Sequence, residues 1–108
     1  MRGDKLKGHL DLLLLSVLAD TGEAHGYKII SWLRDGSGGE FDLPEGTVYP
    51  ALHRLEAGGL LRSRWVEDSG RRRRCYGITA TGVTALRDMR QEWTRFVTGM
   101  DAVIGWSG

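Results

Sequence analysis

Apolar residues recur at helical spacing over the first periodic segment of the chain, from about Gly8 to Asp20. They follow the spacing i, i+3, i+4, i+7 and i+8, which predicts one apolar face of a helix. The residues of this stripe are Leu10, Leu13, Leu14, Val17 and Leu18. Leu12 and Leu15 fall outside it, so the helix is apolar on nearly every side and needs cover on nearly every side. In so short a chain, part of that cover is expected from a second subunit.

A second helix is predicted after the break at Thr21-Gly22-Glu23. It begins near Ala24 and stops at Gly36, with Tyr27, Ile30 and Leu33 along one face. The glycine-rich stretch 35–39 that follows is predicted to be a flexible loop. It lacks the pattern of a phosphate-binding loop, so it does not indicate a nucleotide site.

A third helix is predicted to start between Pro44 and Thr47, because Pro50 is best tolerated in a first helical turn. Thr47 is one candidate N-cap, whereas Asp42 with Glu45 would form a capping box that starts the helix earlier. The pair Gly58-Gly59 should end it. Leu52, Leu55 and the aliphatic part of Tyr49 are expected to be buried. The expected surface residues are Thr47, Val48, Tyr49, Ala51, His53, Arg54 and Glu56.

Two strand-like runs come next, over 60–66 and 73–79, joined by a segment that contains the turn signal Ser69-Gly70. Trp65 alternates with Arg64, and Cys75 alternates with Arg74. This alternation predicts a hairpin with one packed face and one solvated face.

The last segment predicts the longest helix, from an N-cap at Thr79 or Thr81 to Ile104. Six of its apolar residues are spaced alternately three and four positions apart. This spacing is typical of a helix that packs along another helix. The six residues are Leu86, Met89, Trp93, Phe96, Met100 and Val103. About 24 residues reach about 36 Å, longer than so small a domain needs. We expect part of the helix to project and to pack, with Leu12 and Leu15, against a second copy.

The predicted fold class is therefore α+β, mainly α: a winged helix-turn-helix with a long C-terminal dimerisation helix. Residues 1–79 would form the winged helix-turn-helix DNA-binding domain. Residues 80–108 would form the dimerisation helix, and the two would make one continuous compact unit.

The distribution of charge supports a nucleic-acid partner more than the net charge of +1 does. Residues 1–59 hold 6 basic against 9 acidic side chains, and residues 60–108 hold 9 against 5, which makes −3 and +4. Four arginines, Arg71 to Arg74, are consecutive at the predicted hairpin. Such a local basic patch can follow phosphates even on a nearly neutral domain.

Double-stranded DNA is the partner that this layout indicates, with the third helix in the major groove and the hairpin arginines on the phosphates. Arg71 to Arg73 are nearest the hairpin tip and are favoured over Arg74. Arg54 has an alternative role, since it could instead pair with Glu56 or nearby acids. The candidate DNA-binding residues are Thr47, Tyr49, His53, Arg54, Arg71, Arg72 and Arg73.

Other chemistry has little support in the sequence. A single cysteine, Cys75, cannot form an internal disulfide, and it is expected to be a small apolar residue in a strand. His9, His25 and His53 show no zinc-ligand spacing, and no nucleophile elbow is present. No apolar run approaches the roughly 20 residues of a membrane span. We therefore expect a cytoplasmic protein that is not an enzyme and that carries no cofactor or metal.

Several runs resemble the PadR family of transcriptional regulators. They are 6–11 (LKGHLD), 25–29 (HGYKI), 46–56 (GTVYPALHRLE) with 59–61 (GLL), and 76–82 (YGITATG). The resemblance extends from Leu6 to about Ile104. It implies a winged-helix homodimer that represses transcription from a pseudo-palindromic operator, with Thr47, Tyr49 and the wing arginines on DNA.

The single C-terminal helix resembles the small-subunit branch of the family. Some members of that branch bind planar apolar compounds between subunits, stacked on a tryptophan of the last helix. Trp93 stands at that position, so it is a candidate effector contact; the alternative is a purely structural residue of the dimer core.

An alternative hypothesis is that the protein is a ligand-sensing or protein-interaction module with a winged-helix fold that does not bind DNA. The acidic residues Glu40, Asp42 and Glu45, close to the expected DNA face, are its basis.

Overall fold

The chain forms four helices and a three-stranded antiparallel sheet, in a computed structural model that describes residues 8–105. In chain order the elements are α1 (Leu10–Thr21), β1 (Ala24–His25), α2 (Gly26–Gly36), α3 (Glu45–Ala57), β2 (Leu61–Asp68), β3 (Arg71–Ile78) and α4 (Ala80–Ile104). The predicted order of three helices, a hairpin and a long helix is confirmed. Strand β1 was not predicted, because two residues are too few to show an alternation.

The core is built around α1, which packs against α2, α3, α4 and β3. Its buried side chains are Leu10, Leu14, Leu15 and Leu18, whereas Leu12, Leu13 and Val17 are half-buried. Leu15 is fully buried inside its own subunit. The expectation that Leu15 needs a second subunit is therefore wrong, because the chain's own elements surround α1 on more sides than its apolar stripe predicts.

Helix α3 begins at Glu45 with Pro44 as its N-cap residue, and no side chain caps it. Both predicted caps are thus wrong, the one at Thr47 and the capping box of Asp42 with Glu45. Pro50 is the sixth helical residue rather than one of the first turn, so the Gly46 carbonyl lacks its usual helical donor. Val48 and Ala51 were expected at the surface, and that expectation is wrong, because both are buried beside Leu52 and Leu55. Their burial explains why the helix continues through Pro50.

The sheet has the order β1-β3-β2, so β3 is the central strand. In the hairpin, Leu61 pairs with Ile78 at the base and Asp68 pairs with Arg71 next to the turn. Ser69 and Gly70 both have positive φ, 53° and 78°, as the tight two-residue hairpin turn requires. The strands reach further towards the turn than predicted, because their backbone pairing continues to Asp68 and Arg71.

Helix α4 starts at the predicted N-cap Thr79, whose hydroxyl oxygen accepts a hydrogen bond from the Gly82 N–H at 3.0 Å and whose hydroxyl donates to the Gly59 carbonyl at 2.7 Å. Only Gly82 and Leu86 of this helix are buried. Its 25 residues extend about 37 Å. The described chain measures 54 × 28 × 21 Å, and its radius of gyration of 15.1 Å exceeds the roughly 13 Å of a compact domain of this length. The second half of α4 therefore projects from the core.

Candidate nucleic-acid interface

Helix α3 presents a narrow outward face opposite its buried stripe. At 100° per residue, this face is centred on Gly46, Pro50 and His53, and all three are exposed. Tyr49 lies at one border of the face and is half-buried, and Thr47 lies at the other border. His53 is the polar side chain on the middle of the face, and the small neighbours around it leave the helix free to approach a groove closely.

Arg54 is occupied by a carboxylate of another helix. Its guanidinium donates two hydrogen bonds to the Asp11 carboxylate of α1, at 2.7 and 3.0 Å. The alternative foreseen for Arg54, an ion pair, is thus present, but with Asp11 and not with Glu56. Glu56 instead accepts a hydrogen bond from the Ser63 hydroxyl and lies 3.6 Å from the Arg74 guanidinium. Arg54 therefore ties α3 to α1 through an ion pair that leaves 59% of its side chain exposed.

The four consecutive arginines alternate between the two faces of the hairpin. Arg71 and Arg73 lie on one face, whereas Arg72 and Arg74 lie on the other, on the same face as the buried Tyr76. Within the described part of the chain, Arg71, Arg72 and Arg73 form no ion pair with a carboxylate. Three guanidinium groups near the wing tip are thus available to an anion.

A cleft opens between the N-terminus of α2, the start of α3 and strand β3, and we call it the basic cleft. Its lining residues are His25, Gly26, Tyr27, Tyr49, Arg71, Arg73 and Arg74. Of the predicted DNA-binding residues, Tyr49, Arg71 and Arg73 meet here. Thr47 and His53 lie on α3 outside it, and Arg72 lies on the other face of the hairpin. Arg74, which the sequence ranked below its neighbours, belongs to the cleft.

His25 joins the cleft to the start of α2, and it was not among the predicted DNA-binding residues. Its Nδ1 accepts a hydrogen bond from the Lys28 N–H at 3.2 Å, which caps α2, and its Nε2 lies 2.7 Å from the Arg73 guanidinium. A neutral imidazole has one acceptor nitrogen, so it cannot accept from both groups at once. The sequence signal that could have identified His25 as a capping residue is its position directly before Gly26 and Tyr27, where the helix starts.

The ionisable groups of the cleft favour an anion. Burial, and then the charges of Arg73 and Lys28, lower the pKa of His25 below its ordinary value. The His25 ring is therefore neutral at pH 7 in the free protein. Burial and the Glu45 carboxylate raise the pKa of the Tyr49 hydroxyl, so this hydroxyl stays protonated and can donate a hydrogen bond. The cleft thus combines fixed positive charge with neutral hydrogen-bonding groups.

A second, apolar feature lies on the projecting part of α4. Trp93, Phe96, Met100 and Val103 are exposed along one stripe, whereas Leu86 is buried in the subunit core and Met89 is half-buried against it. The predicted interface role of Leu86 is wrong for this reason: its side chain is already covered within the subunit.

The Trp93 ring lies over the start of α1. It meets the His9 ring edge-on at a centroid distance of 5.0 Å and the Phe96 ring at 5.8 Å. A groove beside it is lined by Gly8, His9, Asp11, Leu12, Met89, Glu92, Trp93 and Phe96. Leu12, the other α1 residue expected at the interface, is half-buried on the wall of this groove.

None of the helices within 8–105 is long and apolar enough to cross a membrane. No group of three His, Cys, Asp or Glu side chains within the same range is arranged to hold a metal ion.

Three helices followed by a hairpin and the basic cleft define the winged helix-turn-helix class. The sequence profile of the transcriptional regulator PadR-like family matches residues 14–88, more than half of the chain. The protein therefore belongs to the PadR-like family of transcriptional regulators, as the sequence runs suggested.

Individual relatives agree with this assignment. The transcriptional regulator Rv3488 of Mycobacterium tuberculosis is 42% identical over 81 residues, which cover 71% of this chain and 72% of that protein. A PadR family regulator of Clostridium difficile is 35% identical with a TM-score of 0.77, covering 92% of this chain and all of the other. A PadR family regulator of Eggerthella lenta is 29% identical with a TM-score of 0.81, covering 96% and 88%.

Proposed function

We propose that the protein is a homodimeric repressor that binds a pseudo-palindromic DNA operator in the cytoplasm. The observation that carries DNA binding is the basic cleft, where the start of α2, Tyr49 and three arginines converge on one opening. The positive end of the α2 helix dipole adds to the arginine charges. This combination suits a phosphate of the DNA backbone.

In this proposal α3 enters the major groove with the face centred on His53. His53 would meet base edges, Tyr49 would donate its hydroxyl to a phosphate, and Thr47 would contact the backbone at the border of the face. Arg71 and Arg73 would neutralise phosphates at the cleft, and Arg72 would do so beyond the wing tip. Arg54, which is ion-paired with Asp11, would orient α3 against α1 rather than contact DNA itself.

Salt-dependent binding to the intergenic DNA beside the protein's own gene tests this proposal. Each phosphate contact contributes about 0.9 to the slope of log affinity against log salt concentration. We expect Arg71→Ala and Arg72→Ala together to lower the slope by about 1.8. Arg87→Ala, on the exposed surface of α4, is the matched loss of an arginine and should leave the slope unchanged. An unchanged slope in the wing variant would exclude the wing from the interface.

If the wild-type protein shifts none of the neighbouring DNA fragments, DNA binding itself is refuted. The module that senses a ligand or binds a protein then becomes the better explanation.

Dimerisation rests on the exposed stripe of α4. A helix that projects from the core with Trp93, Phe96, Met100 and Val103 on one side leaves an apolar surface that a second copy would cover. Sedimentation equilibrium should give twice the mass of the chain. Phe96→Glu should give a monomer, while Gln91→Glu, on the opposite side of the same helix, should remain a dimer. A monomeric wild type at micromolar concentration would refute the proposal.

We also propose that Trp93 is one wall of an effector site for planar apolar compounds, because its ring borders the groove between α1 and α4. Such compounds should quench the fluorescence of the dimer, and Trp93→Phe should remove the part of the quenching that saturates. Equal quenching in both proteins would leave Trp93 with a structural role alone.

A further inference from the structure

Trp65 lies on the hairpin with two arginine side chains close to its ring. The guanidinium carbon of Arg72 is 4.9 Å from the ring centroid, and that of Arg74 is 5.5 Å from it. Trp65 pairs directly with Arg74 across the hairpin. Both distances are within the range of cation–π attraction.

The ring is 54% exposed, so burial in the core does not explain it. The expected position of Trp65 on a packed face of the hairpin is wrong, because Trp65 pairs with Arg74 where the hairpin extends beyond the core. The Trp65 ring thus lies outside the core. Its contacts are with the arginines, which suggests that it acts through them.

The arginines that Trp65 holds connect the two parts of the proposed DNA surface. Arg74 lines the basic cleft and lies 3.6 Å from Glu56 of α3. Arg72 lies nearer the wing tip than Arg74, and Glu67 is its neighbour on the opposite strand. Glu56, Arg74, Trp65 and Arg72 thus form a continuous row from α3 to the tip.

We propose that Trp65 is a positioning residue for DNA binding, which holds the guanidinium groups of Arg72 and Arg74 in place for phosphates of the DNA backbone. This inference rests on the proposed DNA-binding function. A free arginine side chain loses much conformational freedom when it binds a phosphate. Stacking removes part of that freedom beforehand and leaves the N–H edges of the guanidinium open to an in-plane acceptor.

The test compares three variants of the full-length protein in DNA binding as a function of salt, after circular dichroism has shown that each is folded. Trp65→Leu keeps an apolar side chain but removes the ring, and we expect about a five- to twenty-fold loss of affinity with a slope lower by about 0.9 or more. Trp65→Phe keeps a ring and should restore most of the affinity and slope. Val66→Ala, the next residue along on the other face, is the control and should leave the slope unchanged.

A measurement without DNA tests the stacking itself. In the wild type the Nε–Hε proton signals of two arginines should be shifted upfield by the ring current of Trp65, and Trp65→Leu should abolish the shift. Full affinity and slope in Trp65→Leu would overturn the proposal, as would equal losses in the Leu and Phe variants, because these would indicate a direct contact of the indole. If the wild type itself binds no DNA, the proposed function fails instead, and the ring-current result still decides whether Trp65 holds the arginines.

Discussion

A single methyl group at Gly26 should separate DNA binding from folding. Gly26 is the first residue of α2 and lies against the ring of Tyr49 from α3. A Cβ at this position would stand 2.5 Å from Tyr49 Cζ and 2.6 Å from its hydroxyl oxygen. Optimal carbon contacts lie near 3.5 Å, so Gly26→Ala must move the ring by about 1 Å. The ring is at the free end of its side chain, and it can withdraw without moving the backbone of α3.

Gly26→Ala should change both the free energy of unfolding and the affinity for DNA. Overpacking costs about 1–3 kcal/mol, and alanine in a helix returns up to about 1 kcal/mol relative to glycine, so the net loss of unfolding free energy should lie between about 0 and 3 kcal/mol. A hydrogen bond from Tyr49 to a charged phosphate is worth about 1.5–3 kcal/mol, so its loss should weaken DNA binding about 10- to 150-fold. Tyr49 is uncharged, so the salt slope should stay that of the wild type.

The assay is fluorescence anisotropy with labelled operator DNA at several salt concentrations, alongside urea unfolding. Gly36→Ala, at the other end of α2 with nothing near its added Cβ, is the matched control and should bind DNA as the wild type does. Tyr49→Phe should repeat the affinity loss without the cost in stability. Wild-type affinity in Gly26→Ala would refute the role of Tyr49, whereas a lower salt slope would show that the cleft arginines had moved as well.

Three further changes have defined outcomes. Gly82→Ala should lower the free energy of unfolding by about 1–3 kcal/mol in urea, because its Cβ would meet the Leu60 carbonyl and lie 2.7 Å from Ile78 Cγ1; stability equal to that of Gly36→Ala would contradict this. Glu67→Gln should tighten binding to random-sequence DNA at low salt, because it removes a carboxylate opposite Arg72; no change would show that Glu67 is remote from the phosphates. The pKa of His25 is lower in the folded protein than in the unfolded chain. As the pH decreases below about 6.5, the unfolded chain takes up a proton on His25 more readily than the folded protein does, so stability should fall. His25→Asn, which keeps a capping side chain, should flatten this part of the pH profile, and an identical profile would refute the assignment.

Periodicity predicted the elements well, because each helix and the hairpin carry their own pattern of burial. Helix α3 starts at Glu45, within the predicted range of Pro44 to Thr47, but Pro50 lies deeper in the helix than the first turn that proline prefers. Here the burial of Val48 and Ala51 on either side of it outweighs the lost hydrogen bond. Tertiary packing overrides a local rule of this kind, and one sequence does not reveal it.

Several residues of the candidate site were predicted from the sequence, but the contacts between them were not. The arginine run and Tyr49 were identified from the sequence, yet which arginine faces which neighbour depends on the hairpin register, and one residue of shift would exchange the two faces. The ion pair of Arg54 with Asp11 was not predicted, because Asp11 is 43 residues away, beyond any local pattern. His25 was missed for a similar reason: its link to Arg73 exists only once β1 pairs with β3.

The Asp11–Arg54 pair joins the two proposed sites, since Asp11 also lines the groove beside Trp93. Asp11→Asn keeps the size of the side chain and removes its charge. The Arg54 side chain is 59% exposed, so screening by solvent limits the loss of unfolding free energy to about 0.5–1 kcal/mol, even with two hydrogen bonds.

The larger effect should fall on α3, which loses its link to α1 and should bind the operator more weakly without a change in salt slope, because no phosphate contact is removed. Asp20→Asn, on the exposed end of α1, removes the same charge and should change neither property. If Asp11→Asn binds the operator as tightly as Asp20→Asn does, the ion pair does not position α3.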